Sequence, residues 1–213
     1  MYGPAHFLVD DADAIAGMIA AYPLAVLAAQ GHDSVVIAHA PLLVERGGGG
    51  AIVSLVGHVA RANPFAALAP GAKCTAVFVG PDAYVSPSAY PSKAVHGEVV
   101  PTWNYVRAEV AGEVDLFSDR TSLLEVVRQL TDVMERCRPA PWSVDDAPAA
   151  YTDRMVASIV GVRIMVSQAQ GKWKLSQNKS VKDFAGVMAD LGAREAPRDH
   201  TLAQAMRALH REG

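Results

Sequence analysis

The chain has 213 residues, 51% hydrophobic and 19% charged, a balance that excludes disorder and lets a domain of this size bury roughly 70% of the surface exposed by its unfolded chain. It needs no disulfide or metal staple: Cys74 and Cys137 belong to neither a CxxC nor a Cys/His cluster, which fits a reducing cytosol and argues against structural zinc. The net charge of -3 argues against a dedicated nucleic-acid binder, although residues 169–213 hold eight Lys/Arg against five acids.

The first helix is expected after Asp10 or Asp11, with Ile15, Met18, Ile19 and Tyr22 on one face and Pro23 as its stop. The uncharged run 14–30 contains Pro23 and falls short of the roughly 20 residues of a membrane helix. Asp10, Asp11 and Asp13 precede it where a signal peptide carries Lys or Arg, so a soluble cytoplasmic protein is expected. Residues 24–30 and 35–44 read as a hairpin around Gly31-His32-Asp33, and 51–60 as a third strand. The glycines 47–50 lead into that strand and not into a helix, which is the wrong context for a phosphate loop.

Asn63-Pro64 has the form of a helix start, with Asn as cap and Pro at the first helical position. A fourth strand is expected over 73–79, a proline-broken connection over 80–98, and long strand structure with a kink at Gly112 over 99–117. A helix over 121–136 would bury Leu124, Val127, Leu130 and Met134. A Pro-rich stretch, 139–148, then leads to a strand over 158–175, followed by helices near 181–191 and 201–211. Short strands with few helices between them favour a mainly β or α+β fold, an antiparallel barrel with peripheral and C-terminal helices. The chain reads as a single domain over 1–213, with a helical C-terminal extension from about residue 180.

Four clusters carry candidate chemistry. In 57–64 a strand delivers His58 and Arg61 to the helix start at Asn63, where free N–H groups and a guanidinium suit a phosphate; a solvated Arg and a core-edge His are the alternative. In 86–93, Ser86, Ser88, Tyr90 and Lys93 sit on a backbone stiffened by two prolines, which suits a binding loop or simply a turn. In 100–105, strand alternation puts Thr102 and Asn104 on one face, Trp103 and Tyr105 on the other. In 171–179, three lysines accompany Trp173, Gln177 and Asn178, either an anion site or an edge strand blunted by charge. Other chemistries lack their signatures: the histidines have no metal-ligand spacing, and GxSxG and GxGxxG are absent. The terminal helices, with an expected linker over 192–200, are too far apart for a helix-turn-helix.

Together these motifs resemble the PaiB-like family of FMN-binding negative transcriptional regulators. The resemblance rests on Met1-Tyr2-Gly3-Pro4, His39-Ala40-Pro41-Leu42-Leu43, Gly57 to Pro64, Tyr84 to Lys93, Val100 to Tyr105, and Lys172 to Lys179. It implies a split β-barrel similar to pyridoxamine-phosphate oxidases, working as a homodimer with FMN at or near the subunit interface. It also implies that Arg61 grips the FMN phosphate with His58 as helper, and that Lys93 and the serines of its loop touch phosphate or ribityl. Thr102, Asn104 and Trp103 would border the flavin ring, and Lys174, Gln177 and Asn178 would reach back to the cofactor. The sequence shows no general acid or base. A flavin-dependent oxidoreductase remains the alternative to a regulator, and DNA or a regulatory protein is the possible partner.

Overall fold

The structure is a computed structural model describing residues 1–212, with side-chain surroundings through His210. Its elements fall into two compact units. One comprises Met1–Asp10, Val79–Arg107 and the chain from Gly171 onward; the other comprises Asp11–Phe78 and Ala108–Gln170.

The larger unit, Asp11–Phe78 with Ala108–Gln170, contains the barrel. Helix α1 (Ala12–Ala21) starts where Asp11 accepts a hydrogen bond from the Ala14 N–H at 2.7 Å, and buries Ile15, Met18 and Ile19. Strands β2 (Leu24–Gln30) and β3 (Val35–Arg46) form the expected antiparallel hairpin, followed by β4 (Ile52–Ala60). Strand β5 (Lys73–Val85) is six residues longer than its expected end at Val79. Pro81 does not stop it, because the fixed φ of proline suits extended chain and only one N–H is lost.

Strand β6 (Thr102–Phe117) begins three residues later than expected, and β7 spans Ile159–Lys174. The sheet order is β1-β7-β4-β3-β2-β5-β6, where β1 is Leu8–Val9, and an additional β7–β6 pairing closes six strands into a ring. Gly112 permits that closure, since a Cβ there would lie 2.2 Å from the Met165 carbonyl oxygen. Leu27, Leu42, Leu55, Val110, Val162 and Ile164 are fully buried. The result is the expected antiparallel split barrel with peripheral helices.

Helix α3 (Arg120–Glu135) buries Leu123, Val126 and Leu130, with Val126 and Leu130 packed on Val56 of β4. Of the face expected from sequence only Leu130 is buried, while Met134 is exposed. The Leu123-Leu124 and Val126-Val127 doublets offer two apolar stripes one residue apart, so the sequence alone does not set the phase. Helix α4 (Ala149–Ala157) was not expected; it buries only Val156 and therefore leaves no apolar stripe.

In the smaller unit, α2 (Lys93–His96) interrupts the proline-broken connection. Helices α5 (Val181–Ala193) and α6 (Pro197–Glu212) are joined by three residues, a tighter turn than expected. The difference arises because Pro197 opens α6, the helix position where a missing N–H costs nothing. Among the described residues, no helix is long and apolar enough to cross a membrane, and no cluster of His, Cys, Asp or Glu is arranged to hold a metal.

Candidate functional site

His58, Arg61 and Asn63 lie in the larger unit, at and just beyond the end of β4. His58, opposite Gly161 in the β4–β7 ladder, is partly buried. Its Nδ1 is buried with no hydrogen-bond partner, and burial pushes its pKa down, toward the neutral imidazole. The Arg61 guanidinium clamps the α4–β7 junction: Nε donates to the Ala157 carbonyl and Nη2 to that of Ile159, both at 2.8 Å. These bonds use the Nε–Nη2 edge of the fork. Asn63 is the expected cap, its side chain accepting from the Phe65 N–H at 2.9 Å above a short turn, Pro64–Ala67.

The other ten candidates lie in the smaller unit. Ser86 caps the turn Pro87–Ala89 by accepting from the Ser88 N–H, and Ser88 Oγ accepts from Lys93 Nζ at 3.1 Å. Tyr90 is 2% exposed, and its hydroxyl has no partner. Burial, then the charge of Asp183, pushes its pKa up. Lys179 Nζ lies 4.8 Å from the centre of its ring, a cation–π contact. Asp183 holds the same loop by accepting from the Ser92 N–H at 3.1 Å.

Thr102, Trp103 and Asn104 alternate along β6 as expected. Asn104 is 1% exposed and Trp103 43%. Asn104 Nδ2 donates to Ser176 Oγ at 2.8 Å, while its Oδ1 is buried without a partner. Ser176 is held at a φ of 63°, a left-handed conformation that the buried Asn104 bond helps to fix. Trp103 Nε1 donates to Asp82 at 2.9 Å. Lys174 Nζ donates to Thr102 Oγ1 and to the Trp103 carbonyl. Gln177 spends its amide on the backbone, donating to the carbonyls of Trp173 and His6 and accepting from the Leu175 N–H. Asn178 is exposed.

The structure therefore brings Thr102, Trp103, Asn104 and Lys174 together with Ser176, and gathers Ser86, Ser88 and Lys93 in one loop. The residues that the resemblance assigns to the cofactor omit Lys172, Ser176 and Lys179, although Lys172 and Lys179 belong to the three-lysine segment read from sequence as a candidate anion site. Lys172 Nζ donates to the Tyr2 carbonyl at 2.9 Å and lies 5.5 Å from the Tyr105 ring centre. The pKa of Lys174 is pushed down, first by burial and, against a contribution from Tyr105, also by Lys172 and Lys179. Among the described residues, none of these lysines lies within ion-pair distance of a carboxylate.

Comparison with known proteins follows the same lines. The first 116-residue match, 34% identical, is to an uncharacterized protein of Emericella nidulans; it covers 50% of this chain and 46% of that one, so the chain spans less than half of that relative's length. The "Protease synthase and sporulation protein PAI 2" of Bacillus subtilis is 27% identical over 207 residues, 97% of this chain and 96% of that one. The FAD and heme binding protein of Mycobacterium smegmatis shares the fold, with a TM-score of 0.57 at 17% identity over 78% of this chain and 73% of that one. A family model described as "Putative FMN-binding domain" matches residues 1–168, which include ten of the thirteen candidates and the barrel strands as far as the middle of β7. The chain belongs to this FMN-binding domain family, with the split barrel as its fold and FMN as its cofactor.

Proposed function

We propose that the chain is a homodimeric FMN-binding regulator of the PaiB type, in which flavin occupancy or redox state controls contact with DNA or a regulatory protein. The carrying observation is the cluster of Lys172, Lys174 and Lys179, in which burial first and then the neighbouring charges lower the pKa of Lys174, and which has no ion-paired carboxylate among the described residues. FMN brings a phosphate with about -1.5 to -2 charges, which would relieve that repulsion. Its flat ring has polar edges that suit partnerless atoms such as Asn104 Oδ1. In the same unit Ser86, Ser88 and Lys93 add a hydroxyl-rich loop. When bound, FMN would supply hydride or one-electron chemistry, and the protein its position and electrostatic surroundings. The regulatory part rests on the motif resemblance and on the name of the Bacillus relative.

Titration of FMN, followed by quenching of flavin fluorescence, tests this reading. Wild type should bind saturably, and Lys174→Met should bind about tenfold more weakly, the loss expected for one charge-assisted contact. A wild type that fails to bind FMN would overturn the flavin reading. The flavin-loaded protein should oxidise NAD(P)H no faster than free FMN; steady-state turnover would instead place it among the oxidoreductases.

A further inference from the structure

We propose a second small-molecule site in the smaller unit, for a neutral planar aromatic ring, outside the residues assigned to FMN phosphate. A cleft of about 480 Å³ opens there, a size suited to a small ligand. Buried Leu175 and Met206 contribute apolar surface, and Trp173 of β7 contributes an indole. Phe184 of α5 and His210 of α6 line it as a stacked pair, with ring centres 4.7 Å apart and planes 24° from parallel. His6 brings a second imidazole from the N-terminal segment.

The chemistry of the lining selects the ligand class. Rings and aliphatic side chains favour a flat apolar body through burial and stacking. No Lys, Arg, Asp or Glu lines the cleft among the described residues, so a full charge of either sign would lose its hydration without an ion-pair partner. Gln177 also lines it, but the hydrogen bonds described above commit its amide to the backbone. The imidazoles of His6 and His210 are therefore the groups left to meet one or two polar atoms on the ligand.

Most of this cleft lies beyond the stretch that the family model matches. The family match ends at residue 168, whereas Trp173, Phe184, Met206 and His210 all follow it. The lysines proposed for the FMN phosphate do not line the cleft. A ligand here would contact α5 and α6 directly, which suits an effector that adjusts the C-terminal helices rather than a second flavin.

The test is calorimetric titration of the full chain, with and without saturating FMN, using 2-naphthol as probe and 2-naphthoate and cyclohexanol as controls. One saturable 2-naphthol site is expected in both states, with weaker binding of the anion and of the non-aromatic alcohol. Phe184→Ala should weaken 2-naphthol by up to about tenfold through loss of one aromatic partner, and exposed His210→Ala by a smaller factor, with FMN uptake unchanged in both. No saturable binding, equal binding by both variants, or displacement of the probe by FMN would overturn the proposal. Cyclohexanol binding as tightly as 2-naphthol would overturn the aromatic assignment.

Discussion

Glu45 of β3 and Arg163 of β7 face each other across β4, and between them Ser54 donates its hydroxyl to Glu45. Arg163 makes a two-pronged contact, Nε to Oε2 at 3.0 Å and Nη2 to Oε1 at 3.2 Å. The Arg163 hydrogen bond holds the Glu45 pKa below its ordinary 4.5, against an opposing push from burial and with help from Ser54. A carboxylate depressed in the folded state contributes stability above its unfolded value and loses it as pH falls through the lower folded value. Because both side chains are about one-third exposed, the contribution is about 1 kcal/mol rather than that of a dry pair. Glu45→Gln should therefore lower thermal stability by about this amount at pH 7, and the difference from wild type should shrink as melts are taken below pH 4.5. An unchanged difference down to pH 3 would show that Glu45 does not titrate with folding. At this scale the alternation that buries Asn104 and exposes Trp103 was legible in the sequence. The Asn104–Ser176 bond was not, because it joins segments 72 residues apart and leaves no local pattern.

Glycines show how differently one residue type can act within an element. Gly186 in α5 lies so close to the Pro87–Ala89 turn that a Cβ would sit 2.1 Å from the Ala89 carbonyl oxygen. Gly17 in α1 has open space around the same position, with nothing within 4 Å. Gly186→Ala should cost about 1–3 kcal/mol, since backbone must shift to admit the methyl group. Gly17→Ala should gain up to about 1 kcal/mol by restricting the unfolded chain in a helix that already suits alanine. Chemical denaturation of the two variants checks both signs; similar changes would refute the close approach at Gly186. Capping and turn signals were the best-read elements, Asp11 and Asn63 both acting as their positions suggested. The phase of α3 and the existence of α4 were not legible, since doublets of apolar residues and a nearly unburied helix erase the periodicity that such reading needs.

At the scale of the molecule, barrel architecture followed from the number and spacing of strands, but the surface on which two copies would meet did not. Along the β2–β3 ladder Leu24 pairs with Pro41, Ala28 with Ile37 and Gln30 with Val35, so Leu24, Ile37 and Val35 share the face opposite buried Ala25, Leu27 and Ala29. Leu24 is 61% exposed and Ile37 52%, an apolar outer face that a lone barrel would leave against water. The proposed homodimer would cover it, and the exposure of Ile37 means that a charge there costs the single barrel little. Ile37→Asp should therefore keep a native melting transition yet shift the mass in solution from twice 22.5 kDa to that of one chain, as read by sedimentation equilibrium. FMN affinity should fall with the dimer if the flavin sits at the subunit interface, because its contacts would then be divided between two copies. A wild type that sediments as a single chain would overturn the dimer, and a monomeric Ile37→Asp that binds FMN with full affinity would place the whole flavin site within one copy.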